Sequence, residues 1–390
     1  MVRLGDICTF QSGGTPSRSV AAYYQGNIPW ITTVSLTGGR IGDEAAVEHI
    51  TAQAINESAA KIVPQNSIMV GTRVGVGKVA INTVPMSTSQ DIISLLNIDE
   101  KVWDKDFLCK FLSAKSVYLN SQARGATIKG IKIDILATLE LPEVTLEEQQ
   151  HIAKVIEDVL QLIQLRKEQL EGLDNLVKSR FIELFGDLAS PTCPWETKAL
   201  VDTCLSNDDI KCGPFGTQLS KDEYTSSGVA VWEIPQINSK FTTQPTHYLT
   251  SEKAEQLSAY SIIPGDIAMS RKGNVGKCAV FPAEYPDGII HSDVLRIRVD
   301  NTKTLPTFMM YQLHFSRAVQ YQIECVSSGA IMAGINVTKL KNILVHIPPI
   351  MLQNEFAAFV EHTDKLKLAV QEALAELETL KKSLMQQYFG

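Results

Sequence analysis

SAAKIVPQNSIMVGTRVGVGKVAI runs from Ser58, and SAYSIIPGDIAMSRKGNVGKCAVF runs from Ser258. Both place a proline after a short apolar run and close on a Gly-rich segment ending in G-K. Working outward, GATIKGIKIDIL from Gly125 is answered by GAIMAGINVTKL from Gly329. LDNLVKSRFIELFG, ending at Gly186, is answered by LETLKKSLMQQYFG, ending at Gly390. Three echoes in one order at nearly constant offsets mark an internal duplication. The middle of each copy differs more than its edges, so one scaffold is expected to present two specificities.

Each copy reads as a globular unit followed by a long helix. In the first helix Ile156, Val159, Ile163, Leu170, Leu173, Val177 and Leu184 recur in alternating three- and four-residue steps, interrupted by Arg166 and Arg180. In the second, Phe356, Phe359, Leu366, Val370, Ala373, Leu377, Leu380 and Leu384 do the same, interrupted by Thr363. This is a coiled-coil spacing. A lone amphipathic helix packed on its own domain gives the same period, but equal lengths after equivalent units favour mutual pairing. A duplication closed by a pseudo-two-fold axis makes that pairing antiparallel.

Pro142 precedes the first helix, with Thr145 as N-cap and Glu147 and Glu148 where the dipole favours acid. Pro348 and Pro349 precede the second, and GDLASPTCPWE after Phe185 reads as a linker. The expected domains are residues 1–143 and 187–347, with spacer helices over 144–186 and 348–390. Short runs such as IPWITTV, DIISLLNI, VAVWEI and DVLRIRV predict strands, and KDFLCKFLSAKSVYLNSQ and LPTFMMYQLHFSRAVQYQI predict helices. The predicted class is α+β: two similar mixed α/β domains joined by two long helices in an antiparallel coiled coil, a pseudo-two-fold internal repeat. The pattern leaves the strand order open.

Hydrophobic residues make up 44% and charged residues 20% of the 390, an ordinary globular composition. No apolar run approaches the ~18 residues of a membrane span. MVRLGDICTF lacks an apolar leader segment, which predicts a cytoplasmic chain. The seven cysteines form no C-x-x-C pair, which predicts reduced thiols rather than zinc or disulfides. The net charge of −7 argues against an autonomous nucleic-acid binder. Met1–Leu146, however, balances 13 basic against 13 acidic residues, so one basic face remains available if a partner shares the phosphates.

GTRVGVGK (Gly71–Lys78) invites a phosphate-loop reading and fails on spacing. Thr72 stands where the first Gly is needed and Val79 where Ser or Thr is; Arg271 and Cys278 fail likewise in the second copy. Two readings remain: a tight connection between strands, or a basic loop whose glycines let backbone and cations approach phosphates or base edges. No N-P-P-[FY], G-x-S-x-G or H-E-x-x-H motif is present. His291, beside Ser292 and Asp293, matches Ser89, Gln90 and Asp91 and reads first as part of a structural polar cluster.

GGTPSR (Gly13–Arg18), IPWITT (Ile28–Thr33), GTRVGVGK, LPEVTLEEQQHIAKVI and the F-G-D…W junction (Phe185–Trp195) together resemble the specificity subunit of type I restriction-modification systems. The resemblance covers the whole chain, although the second copy has CGPFGTQL from Cys212 in place of GGTP and VWEIPQIN for IPWITT. It implies a non-catalytic DNA reader in which each globular unit is a target-recognition domain for half of a bipartite double-stranded site. The helices would set the spacing and dock two methylation subunits. S-adenosylmethionine, ATP and Mg2+ would belong to the methylation and restriction subunits, with no cofactor or metal in this chain. Candidate DNA contacts in the first copy are Thr15, Arg18, Thr72, Arg73, Lys78 and Gln90. In the second copy they are Ser270, Arg271, Lys272, Asn274, Lys277 and His291. The competing readings are a stand-alone DNA-modifying or DNA-cleaving enzyme, and a scaffold with two protein-binding heads.

Overall fold

Ile68–Gly71 and Val79–Asn82 are strands in which every residue is buried, as the apolar runs Ile68–Val70 and Val79–Ile81 require of strands covered on both faces. Ile68 and Val70 face one core with Phe107 and Phe111, while Met69 faces another with Ile31 and Met86. The computed structural model describes residues 2–125, 129–328 and 334–390. Parts of the GATIKG and GAIMAG echoes, residues 126–128 and 329–333, therefore lie outside the described residues. The chain forms two units: Met1–Glu168 with Gln371–Gly390, and Gln169–Val370. Each unit holds one globular domain and part of both long helices.

In the first unit a five-stranded sheet runs in the order Thr9–Ser12, Ile92–Leu96, Ile68–Gly71, Val79–Asn82, Arg40–Ile41. A four-stranded sheet runs Glu48–Ile50, Ile28–Ile31, Met86–Thr88, Ile62–Val63. In the second unit the corresponding orders are Ile210–Cys212, Val294–Ile297, Ile267–Ser270, Cys278–Val280 and His247–Leu249, Val229–Trp232, Gly288–Ile290, Ser261–Ile262. In each four-stranded sheet the central pair is parallel and the flanking pairs are antiparallel. The repeat seen in the sequence is thus a repeat of topology.

The long helices span Leu146–Phe185 and Ile350–Phe389, 40 residues each. Thr145 caps the first through reciprocal bonds with Glu148, whose carboxyl those bonds hold below its usual range. Gly186 ends it at φ +72°, and the Trp195 indole N–H donates to the Phe185 carbonyl at 2.7 Å. In the first unit Lys167 meets Glu378 at 3.5 Å, and the Phe389 ring enters the core 5.3 Å from Phe107 and 5.9 Å from Phe111. In the second unit Asp174 meets Lys367 at 2.7 Å and Arg180 meets Glu355. As one index rises the other falls, so the helices pair antiparallel.

The seam of the first helix follows the expected frame. Ile156, Val159, Ile163 and Val177 are buried, and Leu170, Leu173 and Leu184 are half-buried. The second helix departs from it. Leu366 and Leu380, each 45% exposed, lie outside the seam. Phe356, Val360, Thr363, Lys367 and Val370 are buried and Leu374, Leu377, Lys381 and Leu384 half-buried, in regular four- and three-residue steps. Lys367 occupies a seam position because Asp174 and Asp364 neutralise its ammonium there.

Candidate nucleic-acid interface

The loop GTRVGVGK connects two neighbouring antiparallel strands. The Gly71 amide donates to the Lys78 carbonyl at 2.8 Å, Gly77 N–H to Gly71 O at 2.9 Å, and Lys78 N–H to Gly75 O at 3.1 Å. In the second copy Ser270 donates to Lys277 O at 2.7 Å, Gly276 to Ser270 O at 3.1 Å, and Lys277 to Asn274 O at 3.1 Å. The two loops therefore share one hydrogen-bond pattern. Gly77 sits at φ +79°, and a Cβ there would lie 2.8 Å from Ser116 Cα, so no other residue fits without strain. These bonds close each loop into a tight hairpin, with Arg73 and Lys78 exposed on the first.

Two expected contacts are corrected. Thr72 is buried, its hydroxyl donating to Asp91 O at 3.2 Å, and Ser270 is fully buried in its strand. Neither side chain reaches a ligand, because each lies where the strand passes beneath the loop. Arg73, Lys78, Asn274 and Lys277 are exposed. Arg73 lies 3.9 Å from Asp91, and Lys272, its counterpart in the shared pattern, lies 2.7 Å from Asp293. Arg271 is half-buried: Nε donates to Ile335 O at 3.3 Å, Nη1 reaches Ser292 O at 3.5 Å, and its guanidinium lies 5.2 Å over the Phe215 ring.

Gln90 is exposed and accepts from the Thr15 hydroxyl, next to Asp91 and hence to Arg73. The loop cation, Thr15 and Gln90 thus come together in the first copy, as Arg271, Lys272 and His291 do around Ser292 and Asp293 in the second. Arg18 belongs to a different group. It stacks 4.4 Å over Tyr24 and pairs with Glu48 at 2.6 Å.

Sequence reasoning missed two features. A cleft of 710 Å³ beside the first loop is lined by Arg73, Gln122, Arg124, Gly130 and Lys132, among others. The Arg124 and Gly130 backbones bond reciprocally at 3.0 Å, which brings the cations flanking the GATIKG echo next to Arg73. Their proximity to that echo in the chain was a usable signal. The second feature is a cluster in the second unit, where Glu233 bonds His247 Nδ1 at 2.8 Å and faces His291 Nε2 at 4.0 Å. Its members come from three separate segments, so no local motif announces it. Among the described residues, no group of three or more His, Cys, Asp or Glu side chains is placed to hold a metal ion. No helix among them is long and apolar enough to cross a membrane.

The family model for the type I restriction modification DNA specificity domain matches this chain twice, over residues 1–175 and 195–379. The type I restriction enzyme MjaIX specificity subunit of Methanocaldococcus jannaschii is 31% identical over 186 residues, 47% of this chain and 43% of that protein. That match spans less than half of the relative. The MjaVIII specificity subunit of the same organism is 23% identical, covering 99% of this chain and 90% of that protein. The EcoKI specificity subunit of Escherichia coli is 23% identical over 93% of this chain and 82% of its own length. The crystal structure of a type I restriction-modification S subunit from M. genitalium shares the fold with a TM-score of 0.60 at 15% identity, covering 100% of this chain and 95% of that one. With the specificity domain matched in both copies, the chain belongs to the family of type I restriction-modification specificity subunits.

Proposed function

We propose that this chain is the non-catalytic DNA reader of a type I restriction-modification complex. Each recognition domain reads one half of a bipartite target, and the paired helices fix the spacing and dock the methylation subunits. The observation that carries this reading is the pair of hairpins with one backbone pattern and one shared lysine (Lys78 and Lys277) but different residues between: Arg73 and Gly75 in one, Lys272 and Asn274 in the other. Identical scaffolds with different presented groups are what two half-sites require, since backbone contacts position a protein and side chains at base edges specify the sequence. The exposed leucines of the helices, Leu162, Leu165, Leu176, Leu366, Leu368 and Leu380, supply apolar surface for docking. S-adenosylmethionine, ATP and Mg2+ are assigned to the methylation and restriction subunits.

The test compares the chain alone with the chain assembled with its methylation subunits. Alone it should bind DNA weakly and neither methylate nor cleave; assembled, it should select a two-part site. Replacing residues 1–143 by another recognition domain should change one half-site only. Methyl transfer from S-adenosylmethionine by partner-free protein would favour the stand-alone enzyme instead.

A further inference from the structure

Strand register aligns the two copies residue by residue. Trp30 pairs with Glu48 on one side and Ser87 on the other, and Val231 pairs with His247 and Ile289. Glu48 therefore corresponds to His247, Thr32 to Glu233, Ser89 to His291 and Asp91 to Asp293. The chemistry at three of these places is replaced. The first copy has a hydroxyl, a buried hydroxyl and a carboxylate paired with Arg18; the second has a carboxylate and two imidazoles.

The second set is held firmly. Glu233 is the N-cap of the helix Ile234–Asn238 in a reciprocal capping arrangement with Gln236. Its Oε2 accepts from His247 Nδ1 at 2.8 Å and from Thr246 Oγ1 at 3.3 Å. The His247 ring stacks on Tyr224 with centroids 4.6 Å apart. His291 Nδ1 accepts from the Asp293 N–H at 3.2 Å, and Lys272 holds the Asp293 carboxylate at 2.7 Å. These bonds fix the tautomers. The neutral His291 ring carries its proton on Nε2, which lies 4.0 Å from Glu233, beyond hydrogen-bond reach. The neutral His247 ring uses its proton on Glu233 and keeps Nε2 as an acceptor. Both side chains reach solvent, at 43% exposure for His247 and 26% for His291.

We propose that His247 and His291 are the base-reading pair of the second recognition domain, with Glu233 as their positioning residue. This rests on the DNA-reading function above and names the side chains and the base chemistry. One donor and one acceptor match the adenine edge in the major groove, which offers N7 as acceptor and N6–H as donor; guanine offers two acceptors there. The first domain, lacking all three residues, reads a different pattern.

The experiment selects binding sites from DNA randomised in both halves, using the complex with methylation subunits. The variant Glu233→Thr/His247→Glu/His291→Ser transplants the first copy's residues. It should lose about tenfold in preference for adenine at one position of the second half-site, with the first half-site unchanged. Single variants His291→Ser and His247→Leu, checked by thermal unfolding, carry the test if the triple variant does not fold. Glu233→Gln, which keeps the cap and an acceptor, should retain more of the preference than Glu233→Ala. Folded variants that select both wild-type half-sites with unchanged preference overturn the proposal. A wild-type complex with no two-part preference overturns the DNA-reading function and this assignment with it.

Discussion

Arg73 and Arg271 were expected to be alike, and their surroundings separate them. Arg73 is largely exposed with only a long pair to Asp91, so Arg73→Ala should shift stability by less than about 0.5 kcal/mol. In the assembled complex it should weaken DNA binding by about 1–3 kcal/mol if it meets a base edge, with discrimination relaxed at one position. Arg271→Ala removes bonds to Ile335 O and Ser292 O and the stack on Phe215, so it should lower the melting temperature as well as the affinity. Unchanged affinity in both variants would make the hairpins plain strand connections. Burial also makes His314 a stability sensor. It accepts from the Cys278 amide at 3.2 Å, and burial pushes its pKa down to about 4. Because the unfolded ring binds its proton near pH ~6.5, the unfolded state gains protons first as pH falls. Stability should be fully present above about pH 6.5 and decline by about 3 kcal/mol by pH 4, an effect that His314→Gln removes. Denaturant titrations at both pH values check this. At this scale the hairpins were legible because glycine spacing is local. The burial of Thr72 and Ser270, and the Glu233 cluster, depend on which strands lie together.

The long helices were legible in place and length, and half-legible in their faces. The first helix keeps leucine, isoleucine and valine at most of its seam, so apolarity alone finds the frame. The second puts Thr363, Lys367 and Lys381 into the seam and leaves Leu366 and Leu380 outside, so counting apolar residues selects a shifted frame. Asp364 on the same helix lies 3.5 Å from Lys367, but the closer carboxylate, Asp174 at 2.7 Å, is on the facing helix, and a single-helix pattern does not contain it. Gln149 and Gln353 were missed for the same reason. Both are buried and tie a helix start to backbone from another segment, Gln149 at the Asp104 amide (2.9 Å) and Gln353 at the Leu305 amide (2.8 Å). The frame gives a paired prediction on the second helix. Phe389→Ala empties a site packed against Phe107 and Phe111 and should cost about 3–5 kcal/mol by chemical denaturation. Leu380→Gln should leave stability within about 0.5 kcal/mol yet weaken capture of the methylation subunit. Equal losses of stability from the two would restore the original frame.

For the molecule as a whole, the division into units shows that neither helix belongs to one domain. Each unit is completed by part of the other copy's helix, with Phe389 closing the first core and Phe185 packed on Phe308 in the second. A change in the distance between recognition domains therefore has to lengthen both helices together. Each helix of 40 residues is about 60 Å long at ~1.5 Å per residue. Four residues inserted after Gln169 and four after Val370 add about 6 Å to each and rotate one end by roughly 40° beyond a whole turn. Four is also an insertion that a heptad seam absorbs as a stutter. At ~3.4 Å per base pair, the assembled complex should then prefer a non-specific spacer one or two base pairs longer, with both half-sites unchanged. Insertion into the first helix alone leaves Asp174 and Lys367 together in the second unit, but gives the first helix four residues with no matching turn on the second and should lower stability. Site selection with randomised spacer length reads both outcomes. A doubly extended, active complex with its original spacer would assign the ruler to something other than these helices.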